Sequence, residues 1–184
     1  MAATGVVHGR FQIFHLDHLR YLLAAKKRCH HLVIGITNPD PTLTRTDAAD
    51  AYRSLPEANP LTYFERYSVI RAVMLDSDLG PAEFSIVPFP INIPELYRFY
   101  LPLDAVFYLT IYDDWGKRKY EMFKSLGLNV EVLWIRPIEQ KGISAREVRR
   151  RMVENEEWEH LVPPAAACVM KKMGIPERIA NLKL

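Results

Sequence analysis

The feature that most constrains this chain is the alternation of short β-branched runs with stretches of helical spacing. Val6 and Val7 open an apolar strand that ends at Gly9, and residues 16–28 then set Leu19, Leu22, Leu23 and Ala24 at helical intervals. Residues 32–37 form a second strand, apolar enough to be buried on both faces. Helical spacing returns at Val69, Ile70 and Val73, behind Thr62 as N-cap and Glu65 in capping-box register. Residues 84–87, 105–109 and 130–135 read as three more strands, divided by the stretch 94–100 and by a helix over 117–126. From Ser144 the pattern is helical to the end, with Gly174 as a C-cap.

Consecutive strands separated by helices lie parallel, each reached by a crossover. The pattern therefore predicts a Rossmann-like α/β domain: a parallel five-stranded sheet with helices on both faces and a C-terminal helical segment over 144–184. The ligand of such a sheet lies outside the carboxyl ends of the strands, where their order reverses. At 184 residues the chain is expected to be one domain, 1–184, with a core of its own. Hydrophobic residues at 49% and charged residues at 25% exclude a disordered or fibrous chain. The polar connection 38–60, which carries Arg45 and Arg53, is longer than a compact domain needs for a turn. It reads as a mobile lid over the site or, alternatively, as a surface insertion.

A formal charge of +2 gives no general basic field, and no aromatic residues interleave the one arginine cluster, Arg146, Arg149, Arg150 and Arg151. Nucleic acid is therefore not an expected partner. Cys29 and Cys168 are too few for a disulfide framework and too widely spaced for a zinc pair, so both read as small buried hydrophobes. No apolar run approaches the roughly 18 residues of a membrane span. The first residues lead into a strand without a basic, then apolar, leader. A cytoplasmic protein without a membrane partner is the expectation; association into a homo-oligomer is left open.

Chemistry concentrates at two predicted helix starts. After the first strand stand Gly9-Arg10-Phe11-Gln12 and then His15 and His18, where a helix begins. Free backbone N–H groups and the helix dipole favour an anion there, and imidazoles can donate to phosphate oxygens. The second start is Gly142-Ile143-Ser144-Ala145-Arg146-Glu147-Val148-Arg149, with Ser144 as N-cap and Arg149 about a turn and a half along. Alone, an arginine run on a terminal helix is a solvated face. Beside the histidine turn it is half of a phosphate clamp.

Together the two segments resemble the paired signature of the nucleotidylyltransferase superfamily, usually written HxGH and ISxTxxR. The similarity runs nearly end to end and is greatest to the archaeal type of nicotinamide mononucleotide (NMN) adenylyltransferase. It is carried also by Val33-Ile34-Gly35-Ile36, Pro60-Leu61-Thr62 with Glu65-Arg66, Val87-Pro88-Phe89-Pro90-Ile91-Asn92, and Leu161-Val162-Pro163. The resemblance implies in-line attack of an acceptor oxygen on the α-phosphorus of an NTP, assisted by Mg2+, without a covalent enzyme intermediate. It assigns His15, His18 and Arg149 to catalysis, His18 foremost. Gly9, Arg10, Phe11, Gln12, Arg45, Ile143, Ser144 and Arg146 would hold the nucleotide, and Asn38, Phe89, Asn92 and Tyr97 the acceptor. It implies no side-chain metal site; Mg2+ would ride on the phosphates, with Asp17 nearby.

Three departures from the family pattern bear on the substrates. Asp17 replaces the glycine of HxGH, and Arg146 replaces the usual threonine, so the two are expected to pair. Pro90-Ile91-Asn92 and Tyr97 stand where NMN adenylyltransferases carry Asp-Ile-Asn and a tryptophan. Asp113-Asp114-Trp115 replaces their Thr-Gly-Asn near the nucleotide and is similar to the Asp-Asp-Trp segment of glycerol-3-phosphate cytidylyltransferases, which implies that Asp113, Asp114 and Trp115 help to hold the nucleotide. By itself that triplet is equally a capped helix start with a packing tryptophan. These departures favour CTP as donor and a small phosphate or phosphonate as acceptor, as in the phosphonoformate cytidylyltransferases. An NMN adenylyltransferase with an altered pocket is the alternative, and a nucleotide sensor without chemistry a third reading.

Overall fold

A computed structural model of the chain describes residues 1–45, 54–140 and 142–182. Five strands, β1 (Ala2–Gly9), β2 (Cys29–Thr37), β3 (Phe84–Phe89), β4 (Val106–Ile111) and β5 (Asn129–Ile135), form one sheet in the order β3-β2-β1-β4-β5. Every pairing is parallel, from Val6 beside Val33 in β2 to Val6 beside Phe107 in β4. The chain winds outward through β2 and β3, then returns to place β4 on the other side of β1. The order thus reverses between β1 and β4, as the alternation of elements predicts.

The crossovers are α1 (Leu16–Lys26), α2 (Tyr63–Asp76), a 3-10 helix at Pro94–Phe99, and α3 (Asp114–Ser125). The stretch 94–100 is thus mostly a tight 3-10 helix, opened by Pro94, which has no N–H to give. The C-terminal part contains α4 (Ala145–Val153), α5 (Pro164–Lys172) and α6 (Ile175–Ala180). Gly174, at φ +63° in the left-handed region, breaks α5 from α6 as expected.

Alternating side chains of β1 feed two cores, one on each face of the sheet. Val7 packs with Leu22 of α1, Ile70 and Val73 of α2 and Met170 of α5, while Val6 packs with Phe89, Phe107 and Phe123 of α3. Burying one such side chain is worth roughly 1.5–3 kcal/mol. The capping box forms: Thr62 Oγ1 accepts the Glu65 N–H at 3.2 Å, and Glu65 Oε2 accepts the Thr62 N–H at 2.8 Å. Cys29 is buried, but Cys168 is exposed, against expectation, on the outer side of α5. Among the described residues no helix is long and apolar enough to cross a membrane. Of the connection 38–60, residues 46–53, with Arg53, lie outside the described residues.

Candidate active site

The reversal of strand order leaves a cavity of about 430 Å³ over the carboxyl ends of the central strands. Two helices aim their N-termini at it. His15 is the N-cap of α1 in extended conformation, and Ser144, whose Oγ accepts the Glu147 N–H at 3.1 Å, is the N-cap of α4. His15, His18, Ser144, Arg146 and Arg149 all border this one cavity, so the two predicted segments converge.

The imidazoles of His15 and His18 stack at 3.7 Å with 23° between planes. The His15 N–H donates to His18 Nδ1 at 3.4 Å, and Phe11 packs edge-on against the His18 ring at 5.0 Å. Burial lowers the His15 pKa to about 4, only partly opposed by Asp17. Burial also pushes His18 well below the histidine range, helped by His15 and Arg10. Both rings are therefore neutral near neutral pH and act as hydrogen-bond donors rather than as fixed cations.

The loop between β1 and α1 is held from below by its own residues. Phe11 has φ +52°, and its buried ring lies so close over Gly9 that a Cβ at residue 9 would stand 2.9 Å from it. Phe11 thus braces the turn with its buried ring. Gln12, expected to touch nucleotide, spends its side chain on Leu61, accepting the N–H at 2.8 Å and donating to the carbonyl at 3.1 Å. Arg149, 3% exposed, donates to the Gln12 carbonyl, so the same guanidinium that borders the cavity pins the turn to α4. Arg10 donates to the Ala58 carbonyl at 3.2 Å.

Asp17 turns not to Arg146 but to the backbone. Its Oδ2 accepts the Ile143 N–H at 2.7 Å, and its Oδ1 pairs with Arg20 at 3.1 Å. Gly142, at φ +32°, makes this approach possible, because a Cβ there would overlap Asp17 Oδ2. At the second residue of α1 the carboxylate stands within reach of the backbone that leads into α4, and Oδ2 accepts its N–H. Arg146 borders the cavity, whereas Arg150 and Arg151 turn outward onto Glu147, Glu154 and Glu156 and do not line it.

The remaining candidates divide in the same way. Asp113 caps α3 through the Gly116 N–H at 2.8 Å and borders the cavity with Trp115, but Asp114 is exposed and pairs with Lys117 at 3.0 Å. Asn38, Arg45 and Asn92 line the far wall, the Asn92 amide donating to the Arg45 carbonyl at 3.3 Å. Phe89 and Tyr97 do not reach the cavity: both are core residues, packed edge to face at 4.7 Å, with the Tyr97 hydroxyl on the Ile91 carbonyl. Phe89 meets the cavity through His8, whose ring packs edge-on against it.

Two residues have no site role in the sequence reading. Arg66, 2% exposed, donates to the carbonyls of Thr62, Arg10, Thr37, Asn38 and Pro39 at 2.8–3.2 Å, and burial lowers its pKa to about 10. It ties the ends of β1 and β2 to α2; the family resemblance includes it beside Glu65 but gives it no role. His8 lies buried at the edge of the cavity, and its signal was a polar residue just before Gly9 in an otherwise apolar strand. Among the described residues no three His, Cys, Asp or Glu side chains gather where they could hold a metal ion.

Comparisons with known proteins agree with this geometry. The family model of cytidylyltransferase-like proteins matches residues 6–151. The chain is 49% identical to a phosphonoformate cytidylyltransferase of Streptomyces viridochromogenes, over 97% of this chain and 96% of that one. It is 29% identical to a nicotinamide-nucleotide adenylyltransferase of Thermococcus kodakarensis, over 99% of this chain and 89% of that one. Its fold resembles a bifunctional NMN adenylyltransferase/ADP ribose pyrophosphatase from Francisella tularensis, with TM-score 0.68 at 15% identity. That match covers 98% of this chain and 53% of the other, so the chain spans about half its length. The same bifunctional protein has been solved in complex with AMP and a manganese ion.

Proposed function

Because the chain belongs to the cytidylyltransferase-like family and is a nucleotidylyltransferase, we propose that it moves the cytidylyl group of CTP onto a compact phosphonate and releases pyrophosphate. The observation that carries this reading is the convergence of the His15–His18 turn and the Arg149 helix on one cavity. The choice of CTP and of a phosphonate follows the activity named for the Streptomyces relative.

In the reaction a phosphonate oxygen forms a bond to the α-phosphorus while the bond to the bridging α–β oxygen breaks, and pyrophosphate carries away the electron pair. Charge gathers on the phosphoryl oxygens, and the protein's work is to meet it with prepositioned donors. Neutral His15 and His18 donate N–H groups toward the α- and β-phosphates beside the N-terminus of α1. Arg149 and Arg146 from α4, with Arg10 and Arg45, hold the leaving phosphates. A divalent cation, Mg2+ by preference, would enter on the phosphates of the nucleotide substrate.

The NMN adenylyltransferase reading is favoured by archaeal relatives that match nearly the whole chain, but two residues that the family uses around nicotinamide are replaced. Pro90 stands in place of the acidic residue, and Tyr97 in place of the indole is turned into the core. A pyrophosphate-release assay with CTP, ATP, GTP and UTP, each against phosphonoformate and NMN, decides between them. Turnover of CTP with phosphonoformate is expected; turnover confined to ATP with NMN would overturn the proposal.

A further inference from the structure

We propose that His8 and Lys119 form an anion subsite that takes the carboxylate of an acceptor whose neighbouring phosphonate attacks the nucleotide; this inference rests on the cytidylyl-transfer reading.

His8 is 7% exposed, yet neither ring nitrogen has a hydrogen-bond partner. Buried polar side chains nearly always find one, so an imidazole left without marks a place where a ligand supplies it. Packing alone does not call for histidine here. The ring stands edge-on to Phe89 at 5.6 Å and to Phe123 at 5.3 Å, surroundings in which phenylalanine would pack as well. The same two contacts hold the ring against the cavity that it lines.

Lys119 is one helical turn before Phe123 on α3, with its ammonium 4.1 Å from the centre of the Trp115 ring and also on the cavity wall. Burial, and next the charge of Lys119, hold His8 unprotonated. A neutral N–H donor and an ammonium on the wall of one cavity fit a compact anion, which accepts from the one and is attracted to the other.

The position identifies which anion. β1 turns Val7 toward α1, while Val6 and His8 face the opposite side of the sheet with Phe89 and Phe123. In-line displacement requires the nucleophile to enter opposite the leaving group. If pyrophosphate leaves along α1, the acceptor comes from the side of His8. Its phosphonate must reach the α-phosphorus, so the group left for the subsite is the acceptor's second acid.

The test compares wild type with His8→Phe, which keeps the aromatic packing, and with Lys119→Met on the helix surface. Pyrophosphate release is measured with CTP and either phosphonoformate or methylphosphonate, which lacks the carboxylate. Expected is a rise of about tenfold or more in KM for phosphonoformate in both variants. KM for CTP and turnover of methylphosphonate should stay within about twofold. Unchanged KM for phosphonoformate in either variant, or an equal loss for both acceptors, overturns the subsite. Calorimetric titration of phosphonoformate into enzyme with non-hydrolysable α,β-methylene-CTP is run alongside. If wild type releases no pyrophosphate from CTP, the transferase reading fails, and the titration alone decides the subsite. Affinity that falls in both variants supports it, and affinity that stays the same removes it.

Discussion

The Asp17 carboxylate accepts the Ile143 N–H at 2.7 Å, joining the first turn of α1 to the entry of α4 across the cavity floor. The residue that breaks the glycine of HxGH is therefore a clasp between the two helix starts that border the cavity, and Gly142 is the space it closes into. Under the proposed nucleotidyl transfer, both helix starts must hold their relative position to within fractions of an ångström for their donors to act together.

Asp17→Gly restores the usual motif but removes the clasp. Stability should fall by about 1–2 kcal/mol, as for a charge-assisted hydrogen bond that is partly exposed, and kcat should fall with it. Asp17→Asn keeps a side-chain acceptor and should recover much of both. Urea denaturation beside steady-state kinetics is the check; a glycine variant as stable and as fast as wild type would mean that the clasp has no role.

His18 and Arg149 should separate chemistry from architecture. His18 is half-buried and faces the cavity, so His18→Ala is expected to lower kcat by roughly 10²–10³ with little change in melting temperature. Arg149 is nearly fully buried and holds the Gln12 carbonyl, so Arg149→Ala should lose activity and also unfold at lower temperature. Differential scanning calorimetry on the two variants, each with its kcat, reads the contrast. Equal melting temperatures would show that the Gln12 contact does not hold the turn.

What could be read in the sequence was local. The alternation of 2-residue and 3.6-residue periods, the capping box at Thr62–Glu65 and the caps at Ser144 and Gly174 all depend on neighbours within a turn, and they stand in the structure. What could not be read depends on distant partners. Nothing near residue 66 tells that its guanidinium will be ringed by carbonyls from three segments, or that residue 17 will meet residue 143. Tyr97 was placed on the acceptor by its position after Asn92, but the tight 3-10 turn that begins at Pro94 carries its ring inward. The arginine run by itself does not tell which guanidinium groups border the cavity: Arg146 and Arg149 do, while Glu147, Glu154 and Glu156 take Arg150 and Arg151.

Acid should loosen the site through His15. Its pKa is about 4 in the fold, below the unfolded value of about 6.5, so the unfolded chain binds the extra proton first. The contribution is complete above about pH 6.5 and is lost progressively as pH falls toward and through about 4. It amounts to something on the order of 3 kcal/mol. His15→Gln should flatten that limb of the stability profile. Urea midpoints measured across this range in wild type and variant are the check, and parallel curves would show that the acid loss lies elsewhere.

Arg66 sets the last expectation, because it is a buried cation with no carboxylate among its five carbonyl acceptors. Arg66→Met fills similar volume but leaves those carbonyls without their shared donor, at about 1–3 kcal/mol for each one that water does not reach. Two or three such losses approach the whole stability of a typical domain. The variant should therefore unfold at much lower denaturant, and any folded fraction should bind both substrates poorly, because the Arg10 and Asn38 backbones at the cavity edge are released together. Arg66→Lys supplies a charge but only three donors from one point, so it should restore little. A lysine variant as stable as wild type would show that charge alone, rather than the planar fork of donors, organises the strand ends.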